Sequence, residues 1–500
     1  MVVGLILSYI AVFIIVGLMI AFLAFTGYIY WNRRKYAHIP CVPMPSFYFG
    51  HMKLFNKAIH GEDDLCIDAL MFEWYKKTGS LVYCMHVLHV SIVIILEPKA
   101  LKAIMLDKRN PKPPEFHVFL RNLFGQRLMG RGLLTEPNNE EWHKRRVILN
   151  KAFHRRFLKD FMDPFNASTE LFLDKLSEKA DGKTPISMVE HLNRVTLDVI
   201  SKVAFDLDLG IIEDENSFFN QTVLIAFEAA LEGSSMSSKS WNSSYKEEVR
   251  RAIRTIRETG RECLSKRIDE MNSGKEVQED ILTYIIKSSQ EVKGDDREKM
   301  EVMIDEFILF FFAGQETTAN LLSFTVLVLG QHPKILKRLR EEVKTVVGDR
   351  VNITFDDINR LEYMNLVLKE TLRLWGPASG IARKVTYDCN IAGYKIPAGT
   401  ICQFNGYAMA RIEEYFQNAE KFDPERFKRE EDMTPHTYFP FSFGPKSCIG
   451  QQFAMIEARL VLSKFLQRFK FELVPGQKFT VIQKITLKPK EGCMVYLTAK

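Results

Sequence analysis

Cysteine is scarce in this chain: eight among 500 residues, at positions 41, 66, 84, 263, 389, 402, 448 and 493. No two stand in a CxxC spacing, which excludes zinc-ribbon and dithiol redox sites. So few in so long a chain also exclude a disulfide-stapled scaffold and point to a reducing compartment. A charge excess is missing as well. The 68 Lys and Arg against 62 Asp and Glu leave a net charge of +6, too little over this length for a nucleic-acid binder. No internal repeat or low-complexity tract occurs, and no Rossmann or flavin-binding glycine motif is present.

Charge is absent altogether from residues 2–31. That stretch is too long for the apolar region of a cleaved signal peptide and long enough to span a bilayer. Tyr28, Tyr30 and Trp31 suit the interface, and Arg33, Arg34 and Lys35 follow at once. The bulk of the chain is therefore expected on the cytosolic side. On that topology Asn166, Asn242 and Asn352, each in an Asn-x-Ser/Thr triplet, never meet the lumen. We divide the chain into a transmembrane anchor over 1–31, a connector over 32–50 and a catalytic body over 51–500. Pro40, Pro43 and Pro45 make the connector stiff and non-helical.

The body reads as mainly helical with a smaller β region. Residues 81–96, rich in Val and Ile, suggest strands. Residues 141–158 read as one basic amphipathic helix, with Lys144, Arg145, Arg146, Lys151, Arg155 and Arg156 forming a basic face. Residues 299–329 make a long apolar helix interrupted at Gly314 and ending near His332 and Pro333. Residues 359–375 make another helix, and 450–469 a last long one. Residues 391–404 carry a hairpin signal around Pro397–Gly399. A helix of about thirty residues through a core is unusual and invites a functional reason.

Chemistry concentrates just before the last helix, where Phe441, Gly444, Cys448 and Gly450 fit F-x-x-G-x-x-x-C-x-G. With this chain's own residue frequencies such a match arises by chance about twice in a thousand sequences. Gly444 and Gly450 let backbone approach a flat macrocycle. Free N–H groups at the start of the next helix favour a thiolate at Cys448, and Phe441 can pack against the sulfur. A buried structural cysteine is the alternative from residue type alone. In the long helix, Ala313-Gly-Gln-Glu316-Thr317-Thr318 sets a carboxylate and hydroxyls in an apolar run. Thr317 is placed to bond the carbonyl of Ala313, four residues back. The resulting polar notch suits dioxygen and proton transfer; a surface acid beside a Thr pair is the alternative. Glu370 and Arg373 stand at i and i+3 on one helix face, and Trp142 and Arg146 at i and i+4. Either pair fits an ordinary helix surface equally well.

Together these motifs resemble the cytochrome P450 family, and the likeness runs over essentially the whole chain. It implies that family's mainly α fold, a haem b whose iron takes Cys448 as axial ligand, and dioxygen as co-substrate. It implies Glu316 and Thr317 as an acid–alcohol pair delivering protons to dioxygen. Trp142, Arg146, Arg383 and Lys446 would reach the haem propionates, with Phe441 beside the sulfur. Lys446 stands where the family usually has Arg, keeping the charge but losing the bidentate fork. Glu370, Arg373 and Arg426 would form a buried network behind the haem.

The resemblance also gives the basic residues around Arg146 a second role, docking an acidic reductase. With no nicotinamide or flavin motif of its own, the chain is expected to draw electrons from NADPH through NADPH–cytochrome P450 reductase. The stretches Tyr36-Ala-His-Ile-Pro40, Phe439-Pro-Phe-Ser442 and Ser447-Cys-Ile-Gly-Gln-Gln-Phe453 resemble the cholesterol 24-hydroxylase branch. That implies hydroxylation of a sterol side chain at the endoplasmic reticulum membrane. By family position the substrate pocket would include Phe116, Phe119, Leu120, Phe124, Phe310, Ala313 and Ala378, apolar as a lipid-like substrate requires. Gly376, Ser379 and Ile381 depart from that branch, and the small residues are expected to leave more room. The same fold acting as an isomerase, dehydratase or peroxide-using enzyme, and a non-catalytic sterol-binding protein, are the alternatives.

Overall fold

Helix formation begins with the first apolar run. In this computed structural model, which describes all residues except 1, 61, 63–64, 215–216, 235–240 and 430–432, Val2–Arg34 is one helix of 33 residues. At 1.5 Å per residue it is about 50 Å long, more than the roughly 30 Å of a bilayer's hydrocarbon core. Among the described residues it is the one helix long and apolar enough to cross a membrane, and it fits a single-pass anchor. The helix passes residue 31 without a break, and its last turn docks on the body. Asn32 Nδ2 donates to His89 O at 2.8 Å, and Arg33 Nη2 to Leu88 O at 3.1 Å.

Residues 39–50 form no helix, because each proline removes a backbone donor. They also run along the sheet: Cys41 bridges Cys84 in parallel, Gly50 bridges Val87, and Cys84 N donates to Pro40 O at 2.7 Å. The sheet itself starts from the antiparallel hairpin Val82–Val87 and Val90–Ile95. Ile401–Asn405 lies parallel to the second strand, and Gly380–Lys384 pairs antiparallel beyond it. Val93, Ile94, Ile95, Cys402 and Phe404 are fully buried in this sheet's own core. Burial on both faces is why these strands read as unbroken apolar runs.

The expected hairpin around Pro397–Gly399 is a correction. Cys389–Ile391 pairs with Tyr394–Ile396 about Ala392 and Gly393, whose φ values are 47° and 88°. Two left-handed residues in succession are what a type I′ hairpin turn needs. Pro397–Thr400 instead carries the chain across to Ile401–Asn405 in the larger sheet.

The central helix runs Asp296–Gln331, 36 residues. It begins behind Asp295, whose carboxylate accepts from Glu298 N at 2.9 Å, and ends before Pro333. Gly314 does not interrupt it. A Cβ there would stand 2.8 Å from Ile200 Cγ1, so the glycine admits the neighbouring helix Met188–Phe205. Phe307, Phe311 and Phe324 are fully buried; a helix apolar all round is stable only inside. Glu362–Trp375 and Gln451–Arg468 pack beside it.

The single basic helix expected over 141–158 is three pieces. These are Asn139–Leu149, a 3₁₀ turn Asn150–Phe153 and, past an extended His154, Arg155–Asp160. Nor is its cluster one solvated face. Arg145 is drawn inside by Glu136 and Glu306 at 2.7 and 3.0 Å, and the Arg155 guanidinium lies 5.2 Å from the Phe355 ring centre.

Candidate active site

The loop before Gln451–Arg468 aims Cys448 into a cavity of about 440 Å³. Cys448 N donates to Phe441 O at 2.8 Å, which folds the loop back on itself beside Phe441, another lining residue. Gly444 adopts φ 76°, and a Cβ there would meet Met105 O at 3.1 Å. It therefore serves the turn and the contact with Met105; of the two loop glycines, Gly450 is the one that lines the cavity. Although protein surrounds Cys448, its sulfur is accessible because it faces that space. Burial raises its thiol pKa, while the Gly450 N–H and the Arg146 guanidinium oppose the rise. Holding the thiolate thus calls for a further positive centre at the sulfur.

Lys112, Arg146, Arg383 and Lys446 line the same cavity together with Trp142. Their contacts are to neutral groups. Lys112 Nζ donates to Leu134 O at 3.0 Å, Arg146 Nε to Asn150 Oδ1 at 2.7 Å and Arg383 Nη1 to Ala382 O at 2.8 Å. Lys446 Nζ donates to Asn139 Oδ1 at 2.5 Å and lies 4.9 Å from the Trp142 ring centre. Among the described residues, buried Arg383 Nη2 has no hydrogen-bond partner. Burial pulls Lys112 down to about 7, with repulsion from Lys446, Arg383 and Arg146 added. Burial and then Arg383 pull Lys446 down to about 8, and burial pulls Arg383 to about 10. Cations kept from water without an anion are costly, so the site is built to receive one. Lys112 escaped the sequence analysis because it lies in the irregular loop Asn110-Pro-Lys-Pro-Pro114, where no periodicity assigns a face.

The facing wall comes from the central helix, through Phe310, Ala313, Gly314, Thr317 and Thr318. Thr317 Oγ1 donates to Ala313 O at 2.8 Å, the back-bond its spacing allows. Glu316 is about 100° further round the helix and does not face the cavity. It is buried against the C-terminal hairpin Val481–Gln483 and Leu487–Pro489, with Oε1 4.0 Å from Lys488 Nζ. Burial pushes its pKa up to about 7, with Lys488 and Thr486 opposing. Adjacent in sequence, acid and alcohol therefore serve different sides. A second buried acid, Glu457, lies on Gln451–Arg468; burial drives its pKa well above the carboxylate range, Thr318 opposing. One acid within a mixed helix gave no sequence signal.

Glu370 and Arg373 are no surface pair. Both are buried, with Arg373 Nε 2.8 Å from Glu370 Oε2 and Arg426 Nε 3.0 Å from Oε1. They brace the helix whose Leu372 reaches the cavity wall. Of the expected pocket residues, Phe116, Phe310, Ala313 and Ala378 line the cavity, and Phe119, Leu120 and Phe124 do not. The short turn Val118–Arg121 leaves Phe119 exposed and Leu120 against the helical core. Phe124 edges onto Tyr245, ring centres 6.3 Å apart. Ile381 faces the cavity, whereas Ser379 and Gly376 are absent from its wall. The Ser379 hydroxyl donates to buried Asp68, and a Cβ on Gly376 would stand 2.6 Å from Leu372 O. Neither small residue widens the pocket.

The sequence profile of the family Cytochrome P450 matches residues 40–495. The chain belongs to the cytochrome P450 family. It is 31% identical over 423 residues to an 11-oxo-beta-amyrin 30-oxidase from Glycyrrhiza uralensis, covering 81% of this chain and 78% of that one. It is 27% identical over 471 residues to Cytochrome P450 4d2 of Drosophila melanogaster, covering 89% and 90%. Against Cytochrome P450 4V2 of Homo sapiens the figures are 28% over 430 residues, covering 82% and 80%. The protein is thus an oxidoreductase of the P450 monooxygenase family, using haem with cysteine-ligated iron and dioxygen as co-substrate. The cavity fits that group. Haem brings two carboxylates to a wall of four cations with an orphaned guanidinium nitrogen, and an apolar ring to apolar walls. Cys448 is the one cysteine lining the cavity.

Proposed function

We propose that this chain hydroxylates a hydrophobic, lipid-like substrate, a sterol side chain such as that of cholesterol at C24, at haem held by Cys448. Electrons would come from NADPH through NADPH–cytochrome P450 reductase, the body lying on the cytosolic face of the endoplasmic reticulum membrane. One observation supports this above others: the Cys448 sulfur and four cations, none in an ion pair among the described residues, open onto a single, otherwise largely apolar cavity.

Trp142, Arg146, Lys112, Arg383 and Lys446 would hold the propionates, and Phe441 would keep water from the sulfur. Bound haem supplies dioxygen activation, with electron density from the thiolate behind it. The remaining tasks fall to this chain's own side chains. Phe116, Phe310, Ala313, Ala378 and Ile381 exclude water and orient a hydrocarbon by apolar contact. Thr317, its hydroxyl proton engaged with Ala313 O, has oxygen lone pairs left to accept a hydrogen bond in the cavity and so to orient a proton-carrying group there. Glu316, titrating at about 7, is poised to exchange protons at neutral pH. The sterol assignment is supported by the branch-like stretches around Tyr36, Phe439 and Cys448, and by the apolar wall.

The test is the carbon-monoxide difference spectrum of the reduced full-length protein in detergent. A strongly red-shifted Soret band is expected, and its loss in Cys448→Ser; a band surviving that change removes Cys448 as ligand. Sterols should then produce binding spectra and side-chain-hydroxylated products by mass spectrometry. A triterpenoid or fatty acid turned over while sterols are ignored overturns the substrate assignment alone.

A further inference from the structure

Monooxygenation combines RH, O2, a pair of electrons and a pair of protons into ROH and water. Protons must therefore reach a cavity walled by apolar side chains. We propose that Lys488 and Thr486, on the C-terminal hairpin, are positioning residues for Glu316, holding its carboxyl group on the flank away from the cavity and governing its proton exchange with solvent. This rests on the proton exchange by Glu316 proposed above.

The geometry is a short chain of polar contacts. Glu316 and Asn320 lie one turn apart on the central helix and so share a face. Asn320 Nδ2 donates to Thr486 Oγ1 at 3.0 Å, which leaves the hydroxyl its own proton to offer, and Thr486 acts to lower the Glu316 pKa against burial. Lys488 Nζ stands 4.0 Å from Glu316 Oε1, and its side chain is 24% exposed. Among the described residues, buried Glu316 Oε2 and Asn320 Oδ1 have no hydrogen-bond partner, so a proton at Oε2 would displace no hydrogen bond seen there.

The hairpin is fixed enough for this role. Gln483 Nε2 donates to Asp68 Oδ2 at 2.9 Å, Leu487 N to Pro377 O at 2.9 Å, and Lys484 Nζ meets Glu228 Oε1 at 3.1 Å. The charged groups acting on Glu316 are Lys488 and Lys484 from the hairpin and Glu228 from the helix Phe218–Ser234. Glu457 faces Thr318 on another flank.

The experiment follows product formed per NADPH consumed, from pH 6 to 9, in the full-length protein with its reductase, after the carbon-monoxide spectrum confirms intact haem ligation. Wild type is expected to show an ionisation near neutrality. Lys488→Met removes the nearest cation and should move that ionisation up by about one pH unit, while Lys488→Arg should restore it. Thr486→Val should move it in the same direction, and Thr486→Ser should not. Lys470→Met is the control, an exposed residue of the strand Phe469–Leu473 that is not among the groups acting on Glu316. If Glu316→Gln abolishes the ionisation while Lys488→Met and Thr486→Val leave it in place, the hairpin has no such role. If Glu316→Gln itself leaves the pH profile unchanged, the proton-exchange role of Glu316 fails instead.

Discussion

Arg145 and Glu306 meet with both side chains out of reach of solvent, Nη1 3.0 Å from Oε1. Glu306 also accepts from Leu133 N at 3.0 Å, so the pair ties the central helix to the loop that supplies Leu133 to the cavity wall. Removing one member of a buried ion pair strands the other. Arg145→Met should cost about 3–5 kcal/mol of stability, read as a lowered unfolding midpoint in detergent, and Arg145→Met/Glu306→Met should recover part of it. A single variant as stable as wild type would show the pair to be dispensable.

With Lys112 at a propionate, as proposed above, haem binding should have a pH dependence of defined sign. Its pKa in the free cavity is about 7; a carboxylate brought beside it raises that value. A group whose pKa rises on binding contributes fully below its free pKa and loses its contribution as pH climbs through the bound one. The affinity ratio of wild type to Lys112→Met, measured by haem transfer to an acceptor protein, should be about tenfold at pH 6 and shrink towards unity in alkali. A ratio that stays level or grows with pH contradicts the placement.

Thr317→Ala should keep the thiolate spectrum, since Cys448 lies across the cavity, but release peroxide at the expense of product. A drop in coupling of about tenfold or more is the expected size for a misplaced proton. Amperometric peroxide measurement alongside NADPH consumption decides it. Unchanged coupling removes Thr317 from proton handling.

Ser379 and Ile381 are two residues apart and should behave oppositely. Ser379→Ala leaves buried Asp68 short of a donor and should lower stability by about 1–3 kcal/mol with little change in substrate affinity. Ile381→Ala trims the cavity wall and should alter binding spectra with little change in unfolding. The reverse pattern would show Ser379 facing substrate after all.

Legibility in the sequence followed the physics of each feature. The central helix, the anchor and the Cys448 loop were readable because unbroken apolar runs and glycine spacing are local properties. The i and i+4 spacing of Trp142 and Arg146 likewise put both on one wall. Strand pairing was less readable: turn residues at Pro397–Gly399 looked like a hairpin, yet Ile401–Asn405 pairs with Gly380–Lys384 on one side and, on the other, with Ile92–Ile95, some 300 positions earlier. Loop residues were least readable. Nothing local says that Lys112 turns inward while Phe119 turns out, or that Ser379 reaches Asp68. Glu316 beside Thr317 showed a related limit, since neighbours on a helix point in different directions and adjacency in sequence is not adjacency in a site.

Four like charges crowded on one wall also bear on how the chain matures. With two carboxylates set among Lys112, Arg146, Arg383 and Lys446, as proposed above, the repulsion that Lys446, Arg383 and Arg146 exert on Lys112 would be offset, and the empty site should be the looser one. A newly made polypeptide starved of porphyrin should be easily cut by proteases and quickly cleared, so cellular levels of this enzyme should rise and fall with haem supply.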